Sequence, residues 1–176
     1  MKKFILILFA LTITYLSLNN YYDNKFIIPA DAIRLRVIPN SNSSYDQEIK
    51  MKVSKQIQNR MARLLEHTSN VEGARKIITN NLDLLKLEVA NLLKKENYSL
   101  DYDINFGFHY FPEKEFKGVV YQEGYYEAVK VTLGEGLGDN WWCVLFPPLC
   151  LVEAEEGEEI EYKFFVEEIF KKYFRI

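Results

Sequence analysis

The sequence predicts an α+β domain: an N-terminal strand, an antiparallel helical hairpin, an antiparallel β-meander and a C-terminal amphipathic helix. Three observations carry this. Residues 32–38 alternate apolar and basic side chains, the period of a strand. Residues 44–95 then repeat apolar side chains at helical spacing in two stretches. From residue 100 the period returns to two, before a last helical stripe at 160–176.

Taken in order, Ile33, Leu35 and Val37 share one face of the first strand, with Arg34 and Arg36 on the other. That pattern predicts a half-buried strand, ended by Pro39. Ser44 with Gln47 has the spacing of a capping box, in which hydroxyl and amide satisfy the exposed N–H groups of a helix start. Ile49, Val53, Ile57, Met61 and Leu64 follow as an apolar stripe, and this helix should end near His67. Ser69 with Glu72 predicts a second capping box. Ala74, Ile78, Leu82, Leu85, Val89 and Leu92 then form the stripe of one continuous helix. Lys94 and Lys95 sit at its end, where the helix dipole favours positive charge. The short connection predicts that the two helices lie antiparallel.

In the meander, Tyr102, Ile104, Phe106 and Phe108 read as the inward face of the first strand. Residues 116–121 read as a short second strand and 125–133 as a third. The last helix carries Tyr162, Phe165, Val166, Ile169, Phe170 and Tyr173 on one face, with glutamates at its start and lysines at its end.

The chain of 176 residues suits one domain, at 32–176, behind a leader at 1–18 and a polar tether at 19–31. Lys2 and Lys3 precede a charge-free apolar run, the pattern of an export signal or signal anchor. Ser17-Leu18-Asn19 is a poor cleavage match, and Ala30-Asp31-Ala32 fits better but abuts the first strand. The reading leans toward an uncleaved anchor, with cleavage as the alternative. The lysines would hold the N-terminus in the cytoplasm, so the domain faces outward. The net charge of −3 gives no electrostatic case for nucleic acid.

The segment of most interest is 134–150. It holds Gly134, Gly136 and Gly138, then Trp141 and Trp142, then Cys143 and Cys150 on either side of Pro147-Pro148. Adjacent residues of a strand point to opposite faces, so Trp141 and Trp142 cannot both fill one core. An exposed, tightly shaped loop is the expectation, with one tryptophan packed on the sheet and the other exposed as an interface anchor. Asn140, Trp141, Trp142, Phe146, Pro147 and Pro148 are the candidate partner-binding residues. Cys143 and Cys150 suit a disulfide in an exported protein, and a pair of inert thiols is the alternative.

Catalytic chemistry is not indicated. A thiolate at Cys143 would need His67 or His109 within hydrogen-bond reach, and nothing in the spacing brings them there. The cysteines and histidines lack the tight pairing of a zinc site. The glycines are not a dinucleotide fingerprint, since Asp139 stands where a third glycine would be needed. No cofactor, metal or small-molecule substrate is expected.

The run Leu137-Gly138-Asp139-Asn140-Trp141-Trp142-Cys143-Val144-Leu145-Phe146-Pro147-Pro148-Leu149-Cys150 closely resembles the signature of the stage II sporulation protein R family of endospore-forming bacteria. The resemblance extends upstream through residues 124–133 and recurs at 33–41, followed by Asp46-Gln47. It implies a protein that is not an enzyme. Such proteins are made in the forespore and exported into the space between forespore and mother-cell membranes. There they activate a membrane-embedded aspartic protease that matures a mother-cell sigma-factor precursor. The rival reading from the residues is an exported hydrolase acting on cell wall or peptide, with Cys143 as the candidate nucleophile.

Overall fold

The structure, a computed structural model, describes residues 5, 7–15, 26–116, 119–149, 168–169 and 171–173. Its fold is mixed α+β. The element order is β1 (Phe26–Ile27), β2 (Ile33–Ile38), α1 (Ser44–Leu65), α2 (Val71–Asn80), α3 (Leu82–Lys95), β3 (Tyr102–Phe111), β4 (Lys114–Phe116), β5 (Val119–Tyr121), β6 (Gly124–Leu133) and β7 (Trp141–Phe146).

The principal sheet has the order β3-β6-β2-β7. β2 runs parallel to β6, with Leu35 opposite Val129, and antiparallel to β7, with Leu35 opposite Cys143. The predicted meander is therefore a different topology. β3 pairs directly with β6 from Tyr102↔Leu133 to Phe111↔Gly124. The residues between them leave this sheet. β4 and β5 form a second small sheet, and β1 joins β5 in parallel. The expected strand at 116–121 is thus two short strands.

Local chemistry sets the helix ends one residue from the predicted caps. Ser43, not Ser44, caps α1, its hydroxyl accepting from the Asp46 N–H at 3.1 Å. Asn70, not Ser69, caps α2, its Oδ1 accepting from the Gly73 N–H at 2.8 Å. The expected single second helix is broken at Asn81, whose side-chain amide donates to the Ile77 carbonyl at 2.8 Å. Asparagine competes with the helix for backbone partners, so the Asn80-Asn81 pair is a natural break.

α1 and α3 are antiparallel, as the ion pairs between them record. Lys52 near the start of α1 meets Glu96 just past the end of α3 at 2.7 Å, while Arg60 meets Glu88. The stripe residues Val53, Ile57 and Met61 of α1 and Leu85 and Val89 of α3 are buried in one cluster with Leu35, Val37, Val129 and Val131 of the sheet. All three helices contribute to this cluster, so they cover one face.

The opposite face is also covered, contrary to the expectation for β2. Phe111, Tyr126 and Ala128 form one cluster there, and Ile28, Ala32, Val119, Val144 and Leu149 another. β2 is consequently buried on both sides, and Arg34 is 2% exposed rather than solvent-facing. β3 departs in the other sense. Phe108 is 69% exposed, although its partner across the ladder, Glu127, is held by Arg75 of α2 at 2.7 Å.

Residues 7–15 are helical, with Phe9 and Leu11 exposed. Among the described residues no helix is long and apolar enough to cross a membrane. The rest of the leader and most of the tether lie outside the described residues, as does most of the expected C-terminal helix. Of that helix, residues 168–169 and 171–173 are helical. Ile169 packs against the Val144 cluster, and the Tyr173 ring lies 5.1 Å from that of Phe146.

Candidate partner-binding site

Two segments about ninety-five residues apart in sequence form one junction. The connection from β6 to β7 needs left-handed backbone, which Gly134 (φ 57°) and Gly136 (φ 69°) supply. It is then knitted to the loop after β2. Asn40 Oδ1 accepts from the Glu135 N–H at 3.0 Å, and Asn42 Oδ1 from the Asp139 N–H at 2.6 Å. The Leu137 and Gly138 N–H groups donate to the Asn40 and Pro39 carbonyls at 3.0 and 3.1 Å. Lys50, from α1, donates to the Asp139 carbonyl at 2.9 Å. The expected exposed loop is therefore only the approach, 134–140, and the tryptophans themselves lie on a strand.

Gly138 sits where no side chain fits. A Cβ there would lie 2.3 Å from the Ser41 carbonyl oxygen and 2.7 Å from Pro39 Cγ. Gly138→Ala is expected to force the two loops apart, at a cost of about 1–3 kcal/mol, read from urea unfolding midpoints. An unchanged midpoint would show that the junction yields freely.

Asp46 anchors the other side. Its carboxylate accepts from the Ser41 hydroxyl at 2.5 Å and the Asn40 amide at 3.2 Å. These bonds, that of Ser41 foremost, hold its pKa below the usual carboxylate value in spite of burial. A carboxylate depressed on folding adds stability above its unfolded pKa, near 4, and loses it as pH falls through the folded value. The protection of the Glu135 and Asp139 amides, with the intrinsic pH dependence of exchange divided out, should thus fall below about pH 4. Asp46→Asn should flatten that dependence and cost about 1 kcal/mol.

With the approach held, β7 presents Trp141 and Trp142 to opposite faces. Trp141 pairs with Val37 and packs partly on the helix-side core. Trp142 pairs with Arg36 and packs on the Phe111 cluster, its ring 5.8 Å from that of Phe111 in an edge contact. The Arg36 guanidinium and the Lys114 ammonium lie 5.9 and 5.4 Å from the Trp142 ring centre. The expected split into one core and one exposed tryptophan is not what is found: both are half-buried.

Both also line a hollow of about 630 Å³ that wraps over β7. On the helix side its wall includes Met51, Lys52 and Lys55, and on the other side Arg34, Phe111 and Lys114. A volume of this size is within the range of ligand-binding clefts.

The remaining candidates take varied positions. Asn140 lines the hollow and is a latch, its amide oriented so that the oxygen accepts from Arg36 Nε and Nη2 at 3.2 and 2.8 Å. Phe146 is 0% exposed and belongs to the main core. Pro147, after a cis peptide bond, is buried too, and Pro148 is half-buried. Neither Phe146 nor Pro147 offers the apolar surface edge expected of them.

Cys143 is disulfide-bonded, so it carries no thiol that could become a nucleophile. Cys150 lies outside the described residues. His67 is exposed, whereas His109 is half-buried, with its pKa lowered by burial and by the nearby Lys130 and Arg36 charges. Among the described residues no group of three or more His, Cys, Asp or Glu is placed to hold a metal ion.

Residue-by-residue reading missed Arg34, Phe111 and Lys114 as part of this site. Arg34 and Arg36 carried a signal, since two arginines in a strand of Ile, Leu and Val need partners if the strand is central.

Comparison with known proteins adds the context. The family described as Stage II sporulation protein R matches residues 29–156. The chain belongs to the stage II sporulation protein R family. It is similar to the Stage II sporulation protein R of Bacillus subtilis (strain 168), 36% identical over 135 residues. That alignment covers 77% of this chain and 60% of the relative, so the chain spans about 60% of the length of the curated relative it matches. No solved structure matches. The family match takes in the β2 loop, the β6–β7 junction and every residue that lines the hollow.

Proposed function

We propose that this chain is an exported sporulation signal that activates a membrane-embedded aspartic protease, which in turn matures a mother-cell sigma-factor precursor. Family membership over residues 29–156 carries the reading. The hollow over β7 supports it as a contact surface, since half-buried tryptophans at the wall of a cleft are common interface anchors. The domain acts in the space between forespore and mother-cell membranes, delivered by its N-terminal segment. A Cys143–Cys150 bridge, closing the turn after β7, suits that compartment.

Activation needs the ligand to bind the active protease conformation more tightly than the inactive one, because equal affinity shifts no equilibrium. The test is reconstitution. Residues 19–176, which keep β1 and Ile28, added to the outer side of vesicles holding the protease should start cleavage of the sigma-factor precursor on the inner side. Binding without cleavage, or cleavage that is indifferent to the added domain, would overturn the proposal.

A further inference from the structure

Arg34 is buried to 2% exposure on the sheet face opposite the helices. Its guanidinium carbon lies 3.4 Å from the ring centre of Tyr126, 5.0 Å from that of Phe111 and 5.8 Å from that of Tyr121. Ring faces attract a cation through their quadrupoles, but they do not replace the hydrogen bonds that water gave it. Among the described residues Arg34 Nε and Nη2 have no hydrogen-bond partner. A guanidinium does not give up its proton inside a protein, so the charge remains.

The same wall holds further donors. Trp142 Nε1 is likewise buried and without an acceptor. The Lys114 ammonium stands over the Trp142 ring at 5.4 Å. Arg34, Trp142 and Lys114 all line the hollow. Donors collect on this wall, and among the described residues Arg34 Nε, Arg34 Nη2 and Trp142 Nε1 are left without an acceptor.

The geometry points to a carboxylate: this wall receives an acidic side chain from an apolar peptide segment of a protein partner, with Arg34 as the fork that holds it. Nε and Nη2 form one edge of the guanidinium, the spacing that meets both oxygens of a planar carboxylate. The surrounding rings, with Val144 and Leu149, suit apolar residues on either side of that group. The apolar lining around that edge favours the singly charged, planar carboxylate over the more strongly hydrated phosphate, and the titration below separates the two. Both Arg34 atoms are closed to water in the free molecule, so rim side chains must shift as the carboxylate enters. That shift would disturb the surroundings of Trp142. The inference rests on the reading of the hollow as a partner surface and adds the chemistry of the partner.

The experiment uses the two tryptophans as reporters. The chain has only two, hence two indole N–H resonances, assigned with Trp141→Phe. The full chain is titrated with a short apolar peptide bearing one central glutamate, with its glutamine twin, with inorganic phosphate and with phosphatidylglycerol vesicles. The glutamate peptide should move the Trp142 indole signal and bind at least about tenfold more tightly than the twin. Arg34→Met removes the charge and keeps the bulk, and should abolish the preference while circular dichroism stays native. Arg34→Lys keeps the charge without the fork, and should lose most of it. Equal affinity of the two peptides for the unmodified chain overturns the inference. So does a Trp142 response to phosphate or vesicles at lower concentration, or a preference that survives undiminished in either variant. Should Arg34→Met not fold, the glutamate–glutamine comparison and Arg34→Lys still decide. The protease is absent from this titration, so failure here leaves the activation proposal standing, and failure of activation leaves this result intact.

Discussion

Trp141→Ala is expected to leave the fold nearly intact and to weaken activation of the proposed protease partner by at least about 2 kcal/mol, roughly thirtyfold in the concentration required. The two tryptophans differ in how they are held. Trp142 is fixed by the Phe111 ring, by two cations over its face and by a buried N–H. Trp141 makes no ring contact among the described residues and rests against the core from the wall of the hollow. It can therefore give its surface to a partner with less loss to the fold. Trp142→Ala should act chiefly on stability. Dose–response curves of precursor cleavage, set beside thermal unfolding of each variant, separate the effects. If Trp141→Ala activates normally, the hollow is not the contact surface, and the exposed aromatic patch of Phe108, Tyr110 and Tyr125 becomes the next surface to test.

Phe146→Ala should behave in the opposite way. Phe146 is 0% exposed, faces the helix-side core and makes an edge contact with Tyr173. Truncating a fully buried phenylalanine removes its transfer free energy and leaves a cavity, together about 3–5 kcal/mol. A domain of this size has a total stability of only about 5–15 kcal/mol, so much of it would be lost. Activation per folded molecule should not change. Normal stability with impaired activation would return Phe146 to the surface role that its place beside Pro147-Pro148 suggests in the sequence.

The α+β class, the first strand, the helix stripes and the two long strands, though not their direct pairing, were legible from local patterns. A 3.6-residue repeat from Ile49 to Met61 or a two-residue alternation from Ile33 to Val37 implies its element whatever lies around it. Helix starts were legible to within one residue, since Ser43 and Ser44, like Ser69 and Asn70, are chemically near-equivalent caps. The break at Asn81 was overlooked because the apolar stripe runs on through it.

The sequence by itself also singled out 134–150 as the candidate partner-binding segment, through its glycines and paired tryptophans, and brought the family into view. It could not tell where that segment lies. Only the tertiary structure decided that β7 pairs with β2, that the Asn40 loop grips the β7 approach, and that Arg34 is sealed among three rings. Alternation states that Arg34 and Val37 face opposite sides of a strand, but not which sides are covered. Strand order and the small sheet of β1, β5 and β4 settle that. They depend on contacts between residues far apart in the chain, and no local pattern records those contacts. For the same reason the half-burial of both tryptophans and the burial of Phe146 became visible only when the strands were assembled.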